Sequence, residues 1–337
     1  MSTLPRAAFV TLTAALLLVG ACSSEPATET TPGDPLALAT LQDKSPAPDI
    51  IEVDLEAREA DKSYGGGTPT RVWTYNGSVP GPLLDAKVGD RIVVHFKNSL
   101  PEPTTIHWHG VRLPATMDGT LAMQSPIPPG GSFEYSFTLK DAGLYWFHPH
   151  MRSDIQVQKG LYGVIRVRGP VEPETDVDRV LVLDDIRLGP DGAITEYLDD
   201  AAKMMGREGK TLLVNGVAGA RLAVKPGALV RLRLVNVANG RFFNLRLPGH
   251  KWRVIGVDGG LLPKPYDADT LLIAPGERYD VMVVVNGAPG TDLVVMNESY
   301  ERGHDSGKAA PMPLMTLTVE REGLSGRAIP ALSREIE

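Results

Sequence analysis

From Ile50 onward the chain consists of short stretches in which apolar and polar residues alternate, closed by Gly, Pro, Asn or Asp. Alternation with a period of two puts every second side chain on one face, the signature of a half-buried strand. Residues 91–98, 133–139 and 163–167 are read as strands on this ground. Only 194–205 has the spacing of a short helix. The pattern also repeats. Asn76-Gly77 is matched by Asn215-Gly216, and Pro129-Gly130 by Pro275-Gly276. Lys87-Val88-Gly89 leads into a strand ending at Asn98, and Lys225-Pro226-Gly227 into one ending at Asn236, at equal spacing. Two copies of one Greek-key barrel or sandwich are predicted, over 49–170 and 175–320, in an all-β chain.

Composition narrows the class. The 337 residues suffice for two ordinary domains, and the net charge of −7 without a basic block argues against nucleic acid as a partner. Residues 1–21 read as an export signal: Arg6 is followed by an apolar run too short to span a membrane comfortably. Small residues before Cys22 resemble a lipoprotein signal, in which Cys22 becomes the lipidated N-terminus. Contact with a membrane is expected only through that anchor, in the periplasm or at the cell surface. Residues 22–48, rich in Ser, Thr, Pro and Glu, read as a disordered tether. Cys22 is the only cysteine, so the folded part offers no disulfide, thiolate nucleophile or thiolate metal ligand.

Four of the seven histidines form two pairs, His107-Trp108-His109-Gly110 and His148-Pro149-His150. On a strand each pair aims both imidazoles the same way, and imidazole is a ligand for copper, zinc, iron and nickel. Two pairs flanked by aromatics outweigh the alternative of chance core and surface histidines. The repeat supplies an internal control. Counted from the matched glycines and Pro-Gly pairs, His107 and His109 fall opposite Leu245 and Leu247, and His148 and His150 near Val294 and Met296. The second copy is therefore expected to hold apolar residues there and to act as a scaffold. His95, His250 and His304 stand alone and are read as rim or solvated residues.

Taken together, His107-Trp108-His109-Gly110, Tyr145-Trp146-Phe147-His148-Pro149-His150 and Asn76-Gly77-Ser78-Val79-Pro80-Gly81-Pro82 resemble the multicopper oxidases, which include laccases and bacterial copper-tolerance oxidases. The likeness spans roughly residues 50–320, the first two cupredoxin-like domains of a three-domain enzyme. The resemblance implies an oxidoreductase that couples oxidation of a reducing substrate or metal ion to reduction of O2 to water. It gives His107 to a type 2 copper, and His109, His148 and His150 to a type 3 pair. It gives Asp118 a catalytic part near the type 2 copper, delivering protons to oxygen. Taken alone, Asp118-Gly119 is a turn.

The chain lacks the family's later His-Pro-X-His-X-His and His-Cys-His motifs, and residues 321–337 read as a linker toward a third domain. The expectation is half of the type 2/type 3 ligand set and no type 1 copper, with a missing third cupredoxin domain or a partner chain supplying the rest. A non-catalytic periplasmic copper-binding or scaffold protein is the alternative. A copper nitrite reductase is disfavoured because it needs a cysteine ligand in the first domain.

Overall fold

The structure, a computed structural model, describes residues 1, 34, 36–65, 67–195, 200, 204, 206–303, 309–322 and 328–330. Residues 2–22, with the export signal and Cys22, lie outside the described residues, as do most of the short helix expected over 194–205 and of the linker over 321–337.

The first domain holds β1 (Ile50–Lys62), β2 (Thr70–Tyr75), β3 (Leu84–Lys87), β4 (Arg91–Asn98), β5 (His107–His109), β6 (Ser132–Thr138), β7 (Gly143–His148) and β8 (Gly163–Arg168). They form two four-stranded sheets, ordered β2-β1-β4-β6 and β3-β8-β7-β5. Phe96, Trp108, Tyr135 and Phe147 fill the space between the sheets.

The second domain holds β9 (Val177–Ile186), β10 (Thr211–Val214), β11 (Val217–Ala218), β12 (Ala220–Val224), β13 (Leu229–Asn236) and β14 (Phe243–Arg246). It continues with β15 (Trp252–Val257), β16 (Gly260–Ala268), β17 (Leu271–Ile273), β18 (Arg278–Val284), β19 (Asp292–Asn297) and β20 (Met312–Val319). Its sheets run β11-β10-β9-β13-β18-β15-β16 and β12-β20-β19-β14-β17, around a core with Phe243 and Trp252. The all-β chain of two tandem cupredoxin-like sandwiches is as expected.

The repeat extends to single hydrogen bonds. Asn76 and Asn215 both sit in the left-handed region, at φ 51° and 50°. Asn76 accepts from the Glu56 amide and donates to the Asp54 carbonyl, and Asn215 does the same with Val182 and Val180. Asn98 and Asn236 end matching strands, each donating to two backbone carbonyls and accepting from an amide two residues on. In both copies the first strand runs parallel to the strand that ends at the matched asparagine, β1 with β4 and β9 with β13.

The control register shifts by one residue. Leu245 and Leu247 face the second core, as Trp108 faces the first, so the outward matches of His107 and His109 are Asn244 and Arg246. Met296 opposes Arg246 as Trp146 opposes His109. The loop after Asn236 is one residue shorter to that core position than the loop after Asn98, and a one-residue slip exchanges the faces of a strand. The second copy thus carries polar residues at these positions, not apolar ones.

Residues 36–41, expected to belong to the tether, are packed. Leu36 is in the second core and its carbonyl accepts from the Asn215 side chain, Leu41 is in the first core, and Asp34 pairs with Arg179 at 2.9 Å. Between them, Ala39 and Leu41 exchange backbone hydrogen bonds with Leu83. This strap crosses both domains. A further apolar cluster joins them directly, with Leu144, Trp146, Tyr162 and Val164 of the first against Val180, Val182, Val235 and Val237 of the second.

Candidate metal centre

β5 is the edge strand of its sheet and lies antiparallel to β7, with His107 opposite His148 and His109 opposite Trp146. The period of two turns Trp108 and Phe147 inward and the imidazoles outward. β7 ends at His148, and Pro149, which has no N–H, follows at the strand's end. Beyond it the His150 amide donates to Thr105 Oγ1 at 3.2 Å.

All four expected histidines come together. The His107 and His150 rings stack at 4.1 Å, and His148 lies 5.2 Å from His107 between ring centres. His109 lies 5.7 Å from His107 and 5.6 Å from His148. Ligand nitrogens of His107, His148 and His150 all lie within 4.8 Å of one another. His109 Nδ1 approaches His148 Nε2 to 3.3 Å, and two ring nitrogens that close share one proton when no cation lies between them.

Neighbours fix the rings. His148 Nδ1 bonds the Pro149 carbonyl at 3.0 Å, which leaves Nε2 as its lone-pair nitrogen. His107 Nδ1 lies 3.0 Å from the Asp118 carboxylate and 3.1 Å from the Asp118 carbonyl. Trp146 stacks on His109 at 5.0 Å and covers His148 at 4.0 Å. Burial holds the His148 imidazole down at about 3, and the neighbouring rings add to the effect. Burial and then the Arg278 charge hold His109 at about 4, and burial lowers His150 as well. These three rings are therefore neutral at pH 7, the form that donates to a metal.

The Asp118 turn is part of the site. Gly119 has φ +67°, and a Cβ there would collide with the Ile106 carbonyl one residue before His107. The close approach of this turn to β5 seats Asp118 against the ring. The pair is a turn, as its sequence suggests, and that turn lies against the His107 ring.

The second domain forms a wall of the site, which its reading as a scaffold did not foresee. Val237, Ala238, Asn239, Pro275 and Gly276 line the cavity that holds the imidazoles. A Cβ on Gly276 would lie 3.3 Å from His109 Cε1. The Asn239 side chain donates to the Asp154 carbonyl of the first domain at 2.6 Å. Pro275-Gly276 was visible in the sequence only as a mark of the repeat. Arg278 had no signal beyond its place just after it.

The lone histidines stay apart. His95 lies on the far sheet, 2.8 Å from Glu52 and 3.6 Å from Glu134. His250 is bonded rather than merely solvated, since its Nε2 accepts from the Asn286 amide at 3.0 Å. His304 lies outside the described residues.

The chain is similar to known proteins. Family profiles described as multicopper oxidase match residues 56–172 and 189–320, together most of the chain. Multicopper oxidase MmcO of Mycobacterium tuberculosis is 34% identical over 300 residues, covering 80% of this chain and 59% of that protein. Copper resistance protein A of Escherichia coli is 32% identical over 315 residues, covering 79% of this chain and 49% of that protein. The crystal structure of a multi-copper oxidase from Pseudomonas thermotolerans superposes with a TM-score of 0.75 at 33% identity, covering 84% of this chain and 66% of that one. The chain thus spans about half to two thirds of the length of these relatives. Its two sandwiches, converging imidazoles and sequence matches in both halves place it in the multicopper oxidase family.

Proposed function

We propose that this chain supplies the first-domain half of an oxygen-reducing copper centre, with His107 toward a type 2 copper and His109, His148 and His150 toward a type 3 pair. The observation that carries the reading is the convergence of four imidazoles, three of them held neutral, on one open face. The donor set fits copper, which favours imidazole nitrogen. Bound copper would supply one-electron chemistry and the affinity for O2 that protein side chains lack.

The residues around it have definable tasks. Asp118 holds the proton of His107 Nδ1, so that Nε2 faces the metal, and its carboxylate can pass protons toward the site. Trp146 and the second-domain wall exclude water from His109 and His148. The remaining imidazoles would come from a further histidine-bearing domain or from a partner chain. The thiolate of a type 1 copper would come from there too, because Cys22 is the chain's only cysteine. The electron donor is then an organic reductant or a metal ion that meets that other piece. Export, with lipid attachment at Cys22, would place the centre in the periplasm or at the cell surface.

Copper stoichiometry tests the reading. The purified chain should take up copper with imidazole-nitrogen hyperfine structure in its electron paramagnetic resonance spectrum, and His107→Ala and His148→Ala should each lose most of it. Equal uptake by all three proteins would refute the centre. Oxygen consumption that appears only with the complementing domain supports the oxidase. Copper uptake with no oxygen consumption even then favours the non-catalytic copper-binding alternative, in keeping with a relative named for copper resistance.

A further inference from the structure

We propose that Arg278 of the second domain is a positioning residue for the imidazole site, and that Gly110 is glycine because it must admit this guanidinium. The proposal rests on the copper reading above and names how the second domain acts on it. Arg278 opens β18 and is only 6% exposed at its side chain. Its Nε donates to the Leu144 carbonyl in β7 at 3.1 Å. Its Nη1 donates to the Gly276 carbonyl at 3.2 Å and pairs with Asp258 at 2.9 Å.

The other edge of the guanidinium lies against the residue that follows His109. Gly110 has φ +85°, and a Cβ there would overlap Arg278 Nη2 and lie 3.3 Å from Cζ. One planar group therefore lies against Gly110, just past the end of β5, and bonds β7 at Leu144, so it meets both histidine-bearing strands. The same side chain ties down Gly276, the backbone against which the His109 ring rests. Arg278 makes no hydrogen bond to any of the four site imidazoles, so it acts through the strands. Its charge also helps to keep His109 neutral. A lysine would keep the charge but lose the planar fork that spans both strands. A residue that merely docked the two domains would affect stability and leave the site's geometry alone.

The test uses the full chain with Arg278→Lys, Gly110→Ala, Arg278→Ala and the Gly110→Ala/Arg278→Ala double variant. Imidazole nitrogen resonances are recorded without metal, and copper affinity is measured against a chromophoric chelator. Arg278→Lys should move the His109 resonances, leave those of His95 on the far sheet in place, and weaken copper binding about tenfold. Gly110→Ala should weaken binding less in the Arg278→Ala background than alone, by roughly two-fold or more. Strictly additive Gly110 and Arg278 effects, or a Lys variant with unaltered affinity and unmoved His109 resonances, overturn the proposal. If the unaltered chain takes up no copper, the copper reading fails. The metal-free resonances and the double-variant cycle in thermal midpoints then decide the positioning role on their own.

Discussion

At the scale of the residue, the site depends on where backbones pass each other closely. Gly119 combines a positive φ with contact against the Ile106 carbonyl, so Gly119→Ala meets strain and overlap together. The substitution should destabilise the chain by about 1–3 kcal/mol. It should also move Asp118 off His107. A lower denaturant midpoint checks the first effect, and a shifted His107 imidazole resonance checks the second. An unchanged midpoint would mean that the loop relocates freely and that the turn does not seat Asp118. The shared direction of His107 and His109 was legible in the sequence because strand parity is a local rule, whereas His150 lies past the end of β7 and is placed by the turn at Pro149. Asp118 was legible only through family resemblance. Its partner, His107, is eleven residues away, and nothing in the Asp-Gly pair says which strand the turn will press on.

At the scale of the element, the two surprises have one cause: local signals averaged over too long a window. The strap over residues 36–41 lies inside a segment whose Pro, Ser and Thr content looks disordered. Yet Leu36, Leu38 and Leu41 each find an apolar cluster. A few leucines suffice where preformed cores receive them. Leu36 is fully buried, so Leu36→Ala should cost about 2–4 kcal/mol. The loss should fall on the second domain. Trp252 is that domain's only tryptophan and reports its unfolding by fluorescence. A variant whose Trp252 transition is unmoved would show the strap to be dispensable. The register slip at Leu245 has the same character. Glycine spacing located the strand, but one residue in the preceding loop decided which side chains met the core.

At the scale of the molecule, the seam between the domains carries a titratable contact that no local pattern announces. Asp184 in β9 accepts a hydrogen bond from the Tyr162 hydroxyl of the first domain at 2.6 Å. Burial, then the charge of Asp185, pushes the Asp184 carboxyl up to about 7. A carboxyl raised in the folded state binds its proton more tightly there than in the unfolded chain. Its contribution to stability is therefore complete below about pH 4, the unfolded value, and is lost as pH rises through 7. The imidazoles act in the opposite sense. His109 and His148 are depressed to about 4 and 3, so their contribution is present above pH 6.5 and is lost as pH falls toward those values. The two trends oppose each other between pH 4 and 6.5, and the overall curve does not separate them. Asp184→Asn does, because it keeps the size of the side chain and removes the proton. Its thermal midpoint should exceed that of the unaltered chain at pH 8, and the advantage should shrink to nothing by pH 4. Parallel curves for the two proteins from pH 4 to 8 would place the Asp184 proton outside the folding equilibrium and leave the seam to its apolar cluster alone.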